Sequence, residues 1–400
     1  MAEKNQDAIA EMSEGVITNT DLEKWNERIG LSFRIGNIFN QNVSYEAIRN
    51  YVNGIGDWNT LYRDEEYAKK TRYGALIAPP NWLYSTFPTW VLQGLPGIHA
   101  FHSGNEWEFY RPIYINDKIT AECIFTGYDV KRSAFSGKMV MEYQRAIFRN
   151  QRDELVAKTD LWIVRAERST ARKKGKYSKI EMPHPWTPEE LKKVDEDVLA
   201  EDIRGSNVRY WEDVELGEEM VPVVKGPLGL TDIVAYCVGA APVQIAAHGV
   251  QLRLYKKHPA WAFRDAENKS WEPVYGVHYL KPAALAAGVP YPYDVGAQRQ
   301  SWQINFLCNW IGDEGWIKKN YAEYRRFVYL SDTVWFKGKV TKKYVDEDGE
   351  SVVDVETTGF NQRGEDTIPG SATIVLPCRE RGVWPLEKRL PPKEFRGTGK

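Results

Sequence analysis

A chain of 400 residues and 46.0 kDa is longer than one ordinary core needs, so two or three domains are expected. Its 53 Lys plus Arg against 55 Asp plus Glu leave a net charge of -2, without the basic footprint of a nucleic-acid binder. No apolar run approaches the roughly 20 residues of a membrane span. The start MAEKNQDAIAEMSEG lacks an export pattern, so a cytoplasmic location is expected. The four cysteines, Cys123, Cys237, Cys308 and Cys378, have neither metal-ligand nor disulfide-framework spacing, and no metal is expected. Fifteen Trp within a 13% aromatic share call for large cores or large pockets.

After an N-terminal extension, Ser44 stands where a helix N-cap should, before the apolar-periodic run YEAIRNYVNG that ends at Gly54. The apolar segment 74–92, GALIAPPNWLYSTFPTWVL, has the length of a buried helix. Arg111-Pro-Ile-Tyr-Ile-Asn-Asp117 then leads into three alternating segments, KITAECIFTGYDV, EYQRAIFRNQRDE and LVAKTDLWIVRAE, which read as antiparallel strands. A basic irregular stretch, STARKKGKYSK, precedes a helix with Thr187 as N-cap, Pro188 in its first turn and Glu190 closing a capping box.

The order of signals then repeats. Thr231 is the expected N-cap before DIVAYCVG, which ends at Gly239, and 294–311, DVGAQRQSWQINFLCNWI, is a second buried helix. Arg326-Phe-Val-Tyr-Leu-Ser-Asp332 leads into another set of strands. Arg111 to Arg326 and Asp117 to Asp332 are each 215 positions apart, whereas Asn150 to Asn361 is 211, which predicts a hairpin loop about four residues longer in the first copy. Each copy reads as an α+β unit, one buried helix wrapped by a curved antiparallel sheet. The expected division is an extension (1–24), a first half (25–166), a helical linker (167–206), a second half (207–380) and a tail (381–400).

The strings GDWNTLYRDEEYAKKTRYGALIAPP, HSGNEWEFYRPIYINDKIT, VHYLKPAALAAGVPYPYDVG and FNQRGE resemble segments of the MaoC-like acyl dehydratase family, in particular members whose first half is a fatty-acid-synthase-like dehydratase domain. The resemblance covers most of residues 25 to 378. It implies a tandem, or double, hotdog fold, and a hydratase or dehydratase of 2,3-unsaturated or 3-hydroxy acyl-CoA thioesters. Coenzyme A enters as part of the substrate rather than as a cofactor, and a homodimer or higher homo-oligomer is implied. The family pattern is Asp-x-Asn-Pro-x-His, whose Asp and His hold and activate one water. Helix N-terminal amides would stabilise the enolate oxygen.

Both copies depart from this pattern. In the first, Asp57 and Asn59 stand in place but Tyr62 replaces the histidine, and a phenol is a poor base at neutral pH. In the second, His278 matches the family's histidine, while Pro273 occupies the aspartate position; Asp294 or Glu272 are the alternative carboxylates. Three readings follow: His278 is the base, helped by Asp294 or Glu272; Asp57 and Asn59 act with Tyr62, His102 or His248; or hydratase chemistry is lost and the chain binds or converts a thioester differently. Tyr62, Gly296, Gln298, Arg299, Trp58 and Trp302 are the expected substrate contacts. Trp82, Trp90 and Trp310 add to an aromatic lining that points to a bulky or cyclic acyl group. Lys131, Arg132 and the run 172–176 are basic enough to meet coenzyme A phosphates, although a solvated linker explains that run better. His99 and His102 are expected to pack in a strand, and Asp57 beside Gly56 could simply form an Asx turn. A non-catalytic acyl-CoA-binding or scaffold subunit is the competing class, and a thioesterase a third.

Overall fold

The computed structural model describes residues 9–33, 39–86, 91–177, 179–240 and 245–400. The alternating segments of the first half form four long strands, β1 (Ile98–Phe109), β2 (Thr120–Ser133), β3 (Gly137–Arg149) and β4 (Leu155–Glu167). The second half supplies β5 (Val223–Lys225), β6 (Trp316–Glu323), β7 (Val334–Val345), β8 (Ser351–Asn361) and β9 (Gly370–Val375). All nine belong to one antiparallel sheet, in the order β2-β3-β4-β1-β6-β9-β8-β7-β5. The halves meet where β1 pairs with β6, from Glu108 opposite Lys319 to Gly104 opposite Glu323. One cluster of buried side chains runs through both halves, from Ile48, Trp82 and Trp107 to Phe306, Val334 and Ile374.

The repeat recurs down to single hydrogen bonds. Asp117 Oδ2 accepts from the Tyr114 amide and Asp332 Oδ2 from the Tyr329 amide, both at 2.9 Å. Asn150 Oδ1 accepts from the amides of Arg152 and Glu154, as Asn361 Oδ1 does from those of Arg363 and Glu365. Such side-chain-to-backbone bonds fix each turn and hence the register of the strands beside it. The four extra residues of the first copy do not lengthen its hairpin loop. β2 and β3 have 14 and 13 residues against 12 and 11 in β7 and β8, so the insertion extends the ladder.

The helices that matter below are α1 (Tyr45–Ile55), α2 (Leu83–Thr86), α3 (Pro188–Leu199), α4 (Leu230–Ala240), α5 (His248–Lys257), α6 (Lys281–Ala286) and α7 (Gly296–Ile311); further helices span Asn19–Asn26, Glu65–Lys70 and Arg168–Lys174. Ser44 caps α1, and Thr187 with Glu190 forms the capping box of α3. Thr231 is not the residue before the helix: it lies inside α4, where the Asp232 carboxylate accepts from the Gly229 amide at 2.6 Å. Gly54 and Gly239 likewise lie within α1 and α4, and the left-handed Gly56 (φ 66°) ends α1.

The segment 74–92 is not one long helix. Ile77–Ala78 is a short strand and Pro80–Trp82 a 3-10 turn, and α2 begins only at Leu83, because two consecutive prolines at 79 and 80 bar helical hydrogen bonding before it. Trp90 lies outside the described residues.

α7 is the expected buried helix, with every residue from Ala297 to Ile311 inside the protein. Several of its polar side chains are paired, one of them across the seam. Gln300 Oε1 accepts from Tyr84 at 2.6 Å, Gln300 Nε2 donates to Asn320 at 2.7 Å, Asn320 donates to Gln303 at 3.0 Å and Gln303 to Thr357 at 2.8 Å. Such pairing offsets the cost of burying these amides, although Gln298 Oε1 and Asn305 Oδ1 are buried without a partner. Among the described residues no helix is long and apolar enough to cross a membrane.

Candidate functional site

The turn after α1 carries the first motif. Asp57, 1% exposed, accepts the Asn59 amide on Oδ1 at 2.8 Å, an Asx turn, while its Oδ2 is buried without a hydrogen-bond partner. Burial pushes its carboxyl up to about 6, against the opposing pull of the Asn59 amide and Lys225. Lys225, from β5 of the other half, donates to the Gly56 carbonyl at 2.8 Å and pairs with Glu201 at 3.1 Å, and Glu201 accepts from Asn309 of α7 at 2.6 Å. Asn59 caps the next turn through the Leu61 amide at 3.0 Å. Tyr62 is buried, and burial together with the Cys308 thiol of α7 holds its hydroxyl far above the usual phenol range, so it can donate a proton in a hydrogen bond but not serve as base. A narrow cavity lies beside it, lined by Tyr73, Phe109, Cys308, Asp313 and Trp316.

The second motif sits in the 3-10 turn Val274–His278. His278 Nδ1 lies 2.8 Å from the Tyr293 carbonyl, and a carbonyl can only accept. Neutral His278 thus carries its proton on Nδ1 and its lone pair on Nε2. Burial lowers its pKa, opposed by that hydrogen bond and by Asp294, which keeps the ring neutral near pH 7. The ring packs edge-on against Tyr293 at 4.8 Å and tilted against Tyr275 at 4.5 Å. Asp294 is fully engaged elsewhere: Arg299 holds both its oxygens, at 2.7 and 2.5 Å, and itself donates to the carbonyls of Arg326 and Thr367. Glu272 accepts from Ser270 at 2.9 Å and from the Tyr279 hydroxyl at 3.4 Å.

The other expected contacts are dispersed. Trp58 is 70% exposed with the Arg63 guanidinium 4.7 Å over its ring, whereas Trp82, Trp302 and Trp310 are packed in the core. Gln298 is buried and donates to the Asp232 carbonyl at 3.2 Å, and Gly296 abuts the Tyr324 ring at the start of α7. Arg299 is the bidentate partner of Asp294 described above. His102 bonds Asn105 on β1, and His248 stands exposed at the start of α5. Asp57 and His278 share no hydrogen-bond partner among those the structure shows.

Residues 28–159 match the family model of the FAS1-like dehydratase domain region. Among curated relatives, a UPF0336 protein of Streptomyces avermitilis is 33% identical over 85 residues, 20% of this chain and 57% of that protein. Another, of Parafrankia sp., is 28% identical over 120 residues, 25% of this chain and 78% of that one. The chain thus spans little more than half the length of the Streptomyces relative. A MaoC-like dehydratase of solved structure superposes over 87% of this chain and 98% of its own, with a TM-score of 0.59 at 16% identity. A putative MaoC domain dehydratase of Chloroflexus aurantiacus covers 94% and 100% with a TM-score of 0.55 at 12% identity. A Mycobacterium tuberculosis protein described as a double hotdog covers 87% and 96%, with a TM-score of 0.51 at 9% identity. The fold is the double hotdog of MaoC-like dehydratases.

Within this double hotdog each motif turn reaches into the opposite half. Tyr62 meets Cys308 of α7, and Tyr293, the anchor of His278, stands 3.5 Å from His99 of β1. Neither Lys225 nor Glu201, Cys308 or Tyr293 stands out in the sequence, because each matters only through a contact made across the seam. The one local signal was PYPYDVG, where Tyr293 directly precedes Asp294. The halves also differ by an insertion. Gly54 and Gly239 are 185 positions apart, Tyr62 and His278 are 216 apart, and the added chain contains α5 and the hairpin Ala262–Arg264 with Trp271–Pro273. This added segment ends at Pro273, where the family's aspartate would stand.

Proposed function

We propose that the chain is a hydratase or dehydratase of 2,3-unsaturated or 3-hydroxy acyl-CoA thioesters, with His278 as its acid/base group. The observation that carries the reading is the anchoring of His278 Nδ1 on the Tyr293 carbonyl, which leaves a neutral imidazole with its lone pair on Nε2. In the hydration direction Nε2 takes a proton from water as the water oxygen bonds to C3. The alkene electrons move to Cα and the thioester oxygen, and the imidazolium returns its proton to Cα. Dehydration is the reverse. The first turn of α7 has no side-chain cap, so its amides are available for the enolate oxygen.

A bulky or cyclic acyl group is part of this proposal, as is a homo-oligomeric assembly. The test is a panel of enoyl- and 3-hydroxyacyl-CoA thioesters of rising bulk. Turnover across the panel that is lost in His278→Gln supports the reading. Tight thioester binding without turnover would favour the acyl-CoA-binding subunit.

A second reading, with Asp57 as acid/base group, is favoured by one observation: a buried carboxylate with a free oxygen and a pKa near 6 is suited to proton transfer near neutral pH.

A further inference from the structure

His99 lies at the start of β1, in the first half, yet its closest polar partner belongs to the second-half site. It is 3% exposed, and its Nε2 stands 3.5 Å from the Tyr293 hydroxyl. Its ring lies 4.3 Å from that of Phe101, Phe101 is edge-on to Phe327 at 5.6 Å, and Phe327 packs on Tyr293 at 4.7 Å. Tyr293 is therefore held through its side chain by His99 of the first half and by Phe327 of its own half, while its main-chain carbonyl holds His278 Nδ1. His99 Nδ1 is buried with no hydrogen-bond partner. A histidine buried only for packing has no reason to leave a ring nitrogen unpaired, since an apolar residue would fill that space without the desolvation cost.

We infer that His99 is a positioning residue for His278, acting across the seam between the two halves by fixing Tyr293. The inference rests on the reading of His278 as the acid/base group. It accounts for how this histidine is oriented: a backbone carbonyl, itself steadied from the other half, fixes Nδ1. The charged groups around the pair are Arg165 on β4 and Arg168 just after it, which face His99, and Asp294, which faces His278 and is neutralised by Arg299. Burial and the two arginines keep His99 neutral, so its contact with Tyr293 is a hydrogen bond and not an ion pair.

The test is ring-nitrogen NMR of the histidines in the full chain, beside kcat and KM, for wild type, His99→Leu, His99→Gln and Tyr293→Phe. In wild type His278 is expected as the single Nδ1-protonated neutral tautomer. His99→Leu and Tyr293→Phe should mix the tautomers and lower kcat about 10-fold with KM nearly unchanged, as a loosened catalytic group does. His99→Gln, which can still bond the Tyr293 hydroxyl, should restore both readouts. An unaltered His278 tautomer in folded His99→Leu overturns the inference, as does a kcat loss that His99→Gln fails to restore. Should His99→Leu not fold, Tyr293→Phe, which removes one oxygen, decides by the same criteria. The NMR readout needs no turnover, so activity surviving in His278→Gln would refute the base assignment while leaving the positioning result standing.

Discussion

Gly54 of α1 and Gly239 of α4 lie where the two helices, one from each half, cross in backbone contact. A Cβ on Gly54 would stand 2.7 Å from the Ala235 carbonyl oxygen, and one on Gly239 would stand 2.5 Å from that of Asn50. Neither distance can be relieved by turning a side chain, because the obstacle is backbone. Gly54→Ala or Gly239→Ala should therefore cost about 1–3 kcal/mol, the usual price of overpacking. Gly249→Ala, on α5 with only the flexible Arg253 side chain nearby, should be neutral or slightly stabilising. Thermal melts of the three variants check this.

Arg299 and Asp294 form a pair only 3% and 0% exposed. Removing one partner strands a buried charge, so Arg299→Leu should destabilise by about 3–5 kcal/mol, and the double variant Arg299→Leu/Asp294→Leu by less. Urea titrations of the two single variants and the double close the cycle. A double variant as damaged as the sum of the singles would mean the pair is not coupled.

Asp57 makes stability depend on pH in an unusual direction. Its carboxyl is raised from 3.8 to about 6 in the folded state, so between those values the native protein binds more protons than the unfolded chain. Stability from this group is therefore present below about pH 4, falls as pH rises through 6 and is level above it. The loss amounts to about 3 kcal/mol at one pKa unit per 1.4 kcal/mol. Asp57→Asn should flatten that part of the profile, which denaturant titrations at pH 4.5 and 7.5 would reveal.

His278 titrates the other way. Burial lowers its pKa, so the neutral base persists below the ordinary histidine range, and kcat/KM should hold level as pH falls through 6.5 before dropping. A rate profile that already declines at pH 7.5 would show that another group limits turnover.

The repeat was legible because turn chemistry leaves marks in sequence: Asp117 with Asp332, and Asn150 with Asn361, make the same backbone hydrogen bonds in both halves. The roles of Gly54 and Gly239 were not, since a glycine at a helix end and one at a helix crossing look alike until the second helix is in place. Pro79 and Pro80 did announce the break before α2, but the apolar run around them has the length of a buried helix. At the candidate site the motif residues could be read from their resemblance. Their partners could not: Lys225, Cys308 and His99 reach them from the opposite half, through pairings that local pattern does not encode.

The central claim is that the second half's histidine performs the chemistry. The measurement that meets it most directly is the hydration rate of an enoyl-CoA accepted by the wild type, compared in His278→Gln and Asp57→Asn at pH 7.5. The account predicts a fall of about 10²–10⁴ in kcat for His278→Gln, the usual worth of a general acid/base. Hydration retained in His278→Gln and lost in Asp57→Asn would contradict it and move the active site to the first half.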